Sequence, residues 1–390
     1  MEFINVKLSD IGEVVGGSTP STKNSDNYDG NIAWITPKDL AGYNKVYISR
    51  GERNITEAGF KSCSTRMLPK NSVLFSSRAP IGYVAISEND LCTNQGFKSI
   101  IPNEKVDYKF LYYLLKHNKD YIASKGSGST FKEVSGSVMK GIELSIPKDV
   151  NDQRKISKVL FDIDKKIELN NEINNNLSEQ IKSIYNETFI DFIDYKRLDE
   201  ISNVTIGKTP PRSEQECFTT NKNDVKWVSI SDIGRSGMFI FDTSEKLTQE
   251  AVDKYNVKVI PKDTVILSFK LTVGRTGFTT EDMTTNEAIA HFDLNNKELN
   301  NYLYCTLTYF NYSDLGSTSS IATAINSKIV KSIKIGIPSD EQLNKFNNLT
   351  SAMFKTIKNN ESENIKLSEL RDTLLPKLMN GEIDLDNIEI

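Results

Sequence analysis

One interval organises this sequence. The run L-S-D-I-G-E-V-V-G-G-S-T-P, ending at Pro20, returns as L-D-E-I-S-N-V-T-I-G-K-T-P, ending at Pro210, a shift of 190 residues. Further landmarks follow in the same order. A-W-I-T-P-K-D-L around Trp34 matches K-W-V-S-I-S-D-I around Trp227, and L-P-K-N-S-V-L-F-S-S-R matches I-P-K-D-T-V-I-L-S-F-K. T-N-Q-G then pairs with T-N-E-A, Phe110-Leu111-Tyr112 with Tyr302-Leu303-Tyr304, and the L-S-I-P ending at Pro147 with the I-G-I-P ending at Pro338. The chain reads as two halves that are duplicates and have drifted. At 390 residues each copy is long enough to bury its own core.

Each half opens with about 145 residues of short β-type segments, such as Val73 to Phe75 and Val265 to Leu267, separated by Gly, Pro, Asn and Ser turns. A short amphipathic helix, near Tyr108 to Lys116 and Asn301 to Leu307, interrupts the strands. After Pro147 and Pro338 the character changes to a polar stretch with evenly spaced apolar residues. Ile156, Leu160, Ile163, Ile167, Asn170, Asn174, Leu177, Ile181, Ile184 and Thr188 step by four and three, the seam of a coiled coil. Adding 190 gives Phe346, Thr350, Met353, Ile357, Asn360, Asn364, Leu367, Arg371, Leu374 and Leu378. Each helix runs about 38 residues, or ~57 Å. If the two run antiparallel, Asn meets Asn. The plain alternative is that these four are tolerated polar positions in an Asn-rich chain. A register lock is favoured, because an amide in a coiled-coil core costs stability and is the usual device for fixing alignment.

Composition narrows the chemistry. A net charge of −4 argues against coating nucleic acid through bulk positive charge, so any such contact is local. Two windows at matching places fit that description. Ala58 to Ser87 carries Lys61, Arg66, Lys70 and Arg78 with no acidic residue, and from Lys254 to Thr280 five basic residues face only Asp263. No apolar run has the length to span a bilayer, and Met1 to Asp10 does not read as a signal peptide, so the cytoplasm is the expected location. Cys63, Cys92, Cys217 and Cys305 are far apart, and with only His117 and His291 as imidazoles they read as reduced thiols with no zinc site.

Several catalytic leads fail on inspection. G-K-T at Gly207 to Thr209 lacks the first glycine of a phosphate loop, which falls on Ser202, and Pro210-Pro211 follow it. G-S-G-S-T-F from Gly126 puts Phe131 where a dinucleotide loop needs its third glycine, so it reads as a recognition loop. The Pro-Pro pair sits between Thr209 and Arg212, so the Asn/Asp-Pro-Pro-aromatic clamp of an amino-methyltransferase is missing. His117 and His291 occupy non-equivalent places in the repeat, and no nucleophile with a base emerges.

With these features in place, the chain resembles the specificity subunits of type I restriction-modification enzymes over its whole length. The resemblance rests on the doubled G-x-T-P turn (Gly17 to Pro20, Gly207 to Pro210), the doubled W-[IV]-[TS] strand at Trp34 and Trp227, and a proline-ended strand leading through Gln153 or Gln342 into a long helix. Most specific is L-R-D-T-L-L-P-K-L-M-N-G-E-I, Leu370 to Ile383. It implies an α+β fold: two homologous mixed α/β target recognition domains joined by two long helices in an antiparallel coiled coil, a pseudo-two-fold internal repeat. The implied boundaries are 1–150 and 195–338 for the recognition domains, 151–194 and 339–380 for the helices, and 381–390 for an acidic tail. The resemblance further implies a non-catalytic subunit that reads a bipartite asymmetric site in double-stranded DNA. Its partners would be two modification subunits, which bring S-adenosylmethionine and N6-adenine chemistry, and restriction subunits with ATP and Mg. No cofactor is expected in this chain. One departure stands out: the first repeat ends L-S-E-Q-I-K-S-I-Y-N-E-T-F and lacks the R-D-x-L-L-P-K form, so contacts made through that motif are expected only at the second site.

Phosphate contacts call for Lys, Arg, Ser, Thr or backbone N–H, and base reading for Arg, Lys, Asn or Gln. The candidates are Thr19, Ser21, Lys23, Arg78, Asn94, Gln95, Lys125, Ser127 and Lys132 in the first half. In the second they are Thr209, Arg212, Lys270, Arg275, Asn286, Ser317 and Ser319. Trp34 and Trp227 lie in alternating strands and read as core aromatics rather than base-stacking platforms. Two rival classes are a self-contained methyltransferase or nuclease and a two-domain coiled-coil scaffold. The missing clamp counts against the first, and failure to bind DNA even with partners present would favour the second.

Overall fold

The computed structural model describes residues 1–78, 80–128, 132–192, 194–315 and 325–383. The chain divides into two units, Met1–Leu169 with Asn364–Ile390, and Asn170–Glu363. The division cuts through both long helices instead of falling at their ends. This differs from helices set apart as separate domains, and the reason is burial. Ile156, Leu160, Leu378 and Met379 belong to the first unit's core, while Ile181, Phe346, Phe354 and Ile357 belong to the second's.

The first unit is built on a five-stranded sheet. Its strands are β1 (Gly12–Gly16), β2 (Tyr47–Ile48), β3 (Val73–Ser77), β4 (Ile81–Ser87) and β5 (Lys98–Pro102), in the order β1-β5-β3-β4-β2. β3 reads V-L-F-S-S and is buried at every position, as a central strand covered on both faces must be. Helix α1 (Tyr108–His117) starts where Asp107 accepts a hydrogen bond from the Phe110 N–H at 2.9 Å, and it buries Phe110 through Leu115 against the sheet. A flanking pair, Phe3–Lys7 antiparallel to Glu143–Pro147, leads into α2 (Val150–Thr188).

The second unit repeats this plan. β6 (Ser202–Ile206), β7 (Phe239–Ile240), β8 (Val265–Ser268), β9 (Thr276–Thr279) and β10 (Ile289–Leu294) lie in the order β6-β10-β8-β9-β7, the same topology strand for strand. In both sheets only the last pair is parallel, Tyr47 beside Ile86 and Phe239 beside Phe278. Helix α3 (Asn300–Tyr309) takes the place of α1, and Asp194–Arg197 paired with Lys334–Ile337 leads into α4 (Asp340–Met379).

Helices α2 and α4 pack antiparallel within each unit. In the first, Arg371 Nη1 donates to Asp164 Oδ1 at 2.7 Å. In the second, Asn170 Nδ2 donates to Glu363 Oε2 at 2.7 Å, Asn360 Nδ2 to Asn174 Oδ1 at 2.8 Å, and Gln342 Nε2 to the Thr188 carbonyl at 3.3 Å. Rising numbers in α2 meet falling numbers in α4. Asn360 thus bonds Asn174 across the seam, and Asn170 takes a carboxylate. Asn364 is half-buried on α4.

The helices end differently. α2 stops at Thr188, short of residue 194, because Phe189 turns into a cluster with Tyr185, Tyr302 and Phe346, ring centroids 5.2, 4.7 and 5.1 Å away. α4 runs through Pro376 and is closed by Gly381 at φ +71°. The Glu382 N–H bonds the Lys377 carbonyl at 2.8 Å and the Gly381 N–H bonds that of Leu378 at 3.2 Å. This double closure needs a left-handed residue just past the helix, which glycine adopts freely. The terminal M-N-G-E run is thus a stop signal.

Candidate nucleic-acid interface

The doubled G-x-T-P turn is locked to the doubled T-N turn, in the same way in both units. The Ser18 N–H bonds the Thr93 carbonyl at 3.0 Å, and the Lys208 N–H bonds that of Thr285 at 2.9 Å. A Cβ on Gly17 would lie 2.1 Å from the Thr93 carbonyl oxygen, and one on Gly207 2.2 Å from that of Asn286, so only glycine allows the approach. The tryptophans brace the turns from beneath. Trp34 Nε1 donates to the Ser18 carbonyl at 3.1 Å and Trp227 Nε1 to that of Lys208 at 3.2 Å, with both rings buried, 6% and 2% exposed. Asn94 and Asn286 use their side-chain oxygens to accept the N–H two residues on, at 2.8 Å from Gly96 and 3.1 Å from Ala288. They shape the turn as Asx residues do.

On this base the outward side chains come together. The Thr19 hydroxyl donates to Gln95 Oε1, and at the matching position the Thr209 hydroxyl donates to Glu287 Oε2. Ser21, Lys23, Gln95 and Glu287 are exposed. Burial opposes ionisation of Glu287, but the Thr209 hydroxyl, its own backbone N–H, and the charges of Lys270 and Arg212 hold its carboxyl below the usual range. Glu287 was not among the residues singled out, although its alignment with Gln95 in the repeat points to it.

Hairpin loops extend both turns. The Ser77 N–H bonds the Gly96 carbonyl at 2.7 Å, and the Phe269 N–H bonds that of Ala288 at 2.9 Å. In the first unit Arg78 Nη1 lies 3.6 Å from Glu133, Lys98 Nζ lies 3.2 Å from the same carboxylate, and Ser127 exchanges backbone bonds with Glu133 at 3.0 and 2.9 Å. Arg78, Ser127 and the T-N-Q-G turn are thereby linked. Lys132 is exposed, and Lys125 is exposed with its Nζ 4.9 Å from the Tyr121 ring centre.

The second hairpin differs. Lys270 is exposed, with Nζ 5.6 Å from the Phe269 ring centre. Beside it Leu271, at φ +59°, is 98% exposed. No pattern in the sequence marks that leucine. Two arginines among the candidates are engaged by other groups of the protein. Arg275 is half-buried, donating from Nη1 to the Ile230 carbonyl at 2.9 Å and lying against Gly234. Arg212 grips Glu245 with two bonds of 2.8 and 2.9 Å while its guanidinium sits 4.1 Å from the Phe218 ring centre. Ser317 and Ser319 lie outside the described residues. Of the basic windows, Arg66 pairs with Glu13 at 2.5 Å and Lys254 with Glu214 at 2.7 Å, both on the surface.

His291 is buried between the Thr205 and Thr285 hydroxyls, at 3.0 and 2.6 Å, and burial pushes its pKa down to about 3. All four cysteines are free. Among the described residues no cluster of His, Cys, Asp and Glu is placed to hold a metal, and no helix is long and apolar enough to cross a membrane.

Comparison with known proteins fits this architecture. The model of the type I restriction modification DNA specificity domain matches twice, over residues 2–179 and 193–370. The chain belongs to that family, whose members are recognition subunits rather than enzymes in their own right. It is 36% identical to the type I restriction enzyme MjaIX specificity subunit of Methanocaldococcus jannaschii, across 98% of this chain and 94% of that one. It is 24% identical to the HindI specificity subunit of Haemophilus influenzae, across 82% and 88%. In fold it is similar to the crystal structure of a type I restriction-modification S subunit from M. genitalium, with a TM-score of 0.63 at 16% identity over 97% and 96% of the two chains.

Proposed function

We propose that this chain reads an asymmetric two-part site in double-stranded DNA, one part through each unit, on behalf of modification and restriction subunits that carry the chemistry. The observation behind this reading is the turn assembly built twice on the same scaffold, each copy holding a Thr and an amide or carboxylate outward. The reading surface in the first unit comprises Thr19, Ser21, Lys23, Arg78, Gln95, Lys125, Ser127 and Lys132. In the second it comprises Thr209, Lys270, Leu271 and Glu287. Arg212, Arg275, Asn94 and Asn286 act as supports. Gln95 is suited to the paired donor and acceptor of adenine, whereas Glu287, an acceptor only, is suited to the cytosine amino group. The apolar tip of Leu271 fits a thymine methyl or a base step. S-adenosylmethionine, ATP and Mg are left to the partners. The four seam Asn residues set the register of the helices, which act as the ruler between half-sites, and the working location is the cytoplasm.

The test is to express the chain with its modification subunit and sequence methylated adenines. Gly17→Val is expected to abolish or relax recognition of one half-site and Gly207→Val the other. An unchanged motif in either variant overturns the assignment. The ruler has its own readout. One heptad inserted beside Asn170 and another beside Asn360 add ~10 Å, about three base pairs of spacer, between unchanged half-sites.

A further inference from the structure

Three positions distinguish the helix junctions of the two units, and they change together. In the first unit the Tyr113 hydroxyl donates to Asp164 Oδ2 at 2.7 Å, and Arg371 Nη1 donates to Oδ1 of the same carboxylate at 2.7 Å. The Asp164 side chain is 8% exposed and that of Arg371 21%, so this is an ion pair largely withdrawn from water. Arg371 is held from behind by Asp372 at 2.8 Å. Lys116, nearby, donates to the Tyr112 hydroxyl.

The repeat gives the counterparts in the second unit. Tyr113 corresponds to Cys305, Asp164 to Phe354 and Arg371 to Ile181. All three are buried and belong to one apolar cluster, where Phe354 meets the Tyr304 and Phe278 rings at 6.1 Å. One junction is tyrosine, carboxylate and guanidinium; the other is thiol, phenyl and the sec-butyl chain of Ile181. Neither contains half of the other's chemistry.

We infer that these six residues select the partner of each helix, so that α2 pairs with α4 and neither pairs with its like from a second copy of the chain. Two α2 helices placed antiparallel in the same register set Asp164 against Ile181 of the other copy. The carboxylate keeps Tyr113 and loses its cation. Two α4 helices set Arg371 against Phe354 and Cys305, a guanidinium facing an apolar cluster. A buried charge without its counter-ion disfavours each like pair by on the order of a hundredfold. The Asn170–Glu363 bond adds to this, since in an α2 pair the residue at the place of Glu363 is Ile173. A fold made from two related halves is open to exchange between copies, and this junction closes that route.

The test uses the full chain carrying a protease site after Ile190, which is 74% exposed just past the end of α2. The purified chain is cut, unfolded in urea and diluted, and the pairs that form are weighed by native mass spectrometry. The unaltered chain is expected to give only the unlike pair. The double variant D164F/R371I gives all three pairings the same Phe and Ile contacts, and is expected to raise the like pairs at least tenfold. A statistical mixture from the unaltered chain overturns the inference, as does a double variant that stays wholly unlike. In the uncut chain, D164F and R371I are each expected to lower Tm and the double variant to recover most of the loss. Two neutral single variants overturn the inference independently of refolding.

Discussion

The two units share a strand order and a recognition turn, yet they fill the space behind that turn with different chemistry. Where the first unit pairs Val15 with Ser99, the second pairs Thr205 with His291. The Ser99 hydroxyl is buried without a hydrogen-bond partner, whereas both His291 nitrogens are engaged by threonine hydroxyls. At the helix junction the direction reverses, and it is the first unit that is polar. Backbone topology and the glycine-dependent turn are thus common to the two units, while the side chains packed behind them differ. Both units also tie their edge strand to a helix carboxylate by different routes. Glu168 accepts from the Val46 N–H at 2.7 Å, and Glu361 from the Met238 and Phe239 N–H groups at 2.8 and 2.9 Å.

The comparison breaks most sharply at Phe354. Phe354→Asp copies the first unit's residue into the second without its cation, and is expected to cost ~4 kcal/mol of stability, read as a loss of Tm. Adding Ile181→Arg and Cys305→Tyr rebuilds the whole triad and is expected to restore most of it. If the triple variant is no better than the single, the junctions are not equivalent.

The strand pair gives the next effect, through pH. Folding holds His291 neutral with a pKa near 3 against an ordinary 6.5, so the unfolded chain binds the proton first. Stability from this group is complete above pH 6.5 and is lost as pH falls toward 3. The loss from pH 7 to pH 5 is ~2 kcal/mol. His291→Gln is expected to flatten that part of the pH dependence of Tm relative to the unaltered chain. Parallel curves for the two proteins would show that the histidine is not held neutral.

Smaller effects come from the surface. Glu287→Gln gives the second unit the first unit's side chain, and is expected to shift preference at one base pair of its half-site by about tenfold, ~1.4 kcal/mol. The methylated motif read from the genome measures it, and an unchanged base preference counts against the reading role. Leu271→Ser is expected to weaken methylation by about threefold with Tm unaltered. A drop in Tm would instead make that leucine structural.

The repeat, the strands and the helical seam were legible because each is a periodic pattern, and periodicity survives drift. The tryptophans were legible too, since alternation placed them inside. Asp164 was not. It lies one residue off the counted seam, and its partner Arg371 is 207 positions away, where it occupies a seam position as an apparent exception. Arg212 and Arg275 were named as candidate DNA contacts without their protein partners, because the sequence does not show that Glu245 and the Ile230 carbonyl lie within reach. Leu271 escaped notice because a left-handed backbone at a non-glycine residue is set by the hairpin around it, not by local composition.

The unit containing Asn170–Glu363 is one continuous stretch, whereas the other is assembled from Met1–Leu169 and Asn364–Ile390. During synthesis, which proceeds at about 5–20 residues per second, the continuous unit has all its parts as soon as residue 363 clears the ribosome. The unit begun first must wait, with Ile156 and Leu160 lacking Leu378 and Met379, until α4 is complete and Gly381 has settled against Phe3. Order of translation and order of completion are therefore opposite. A ribosome that stops early releases a chain whose second unit is finished and whose first still exposes apolar surface, a ready mark for the proteases that clear unfinished protein.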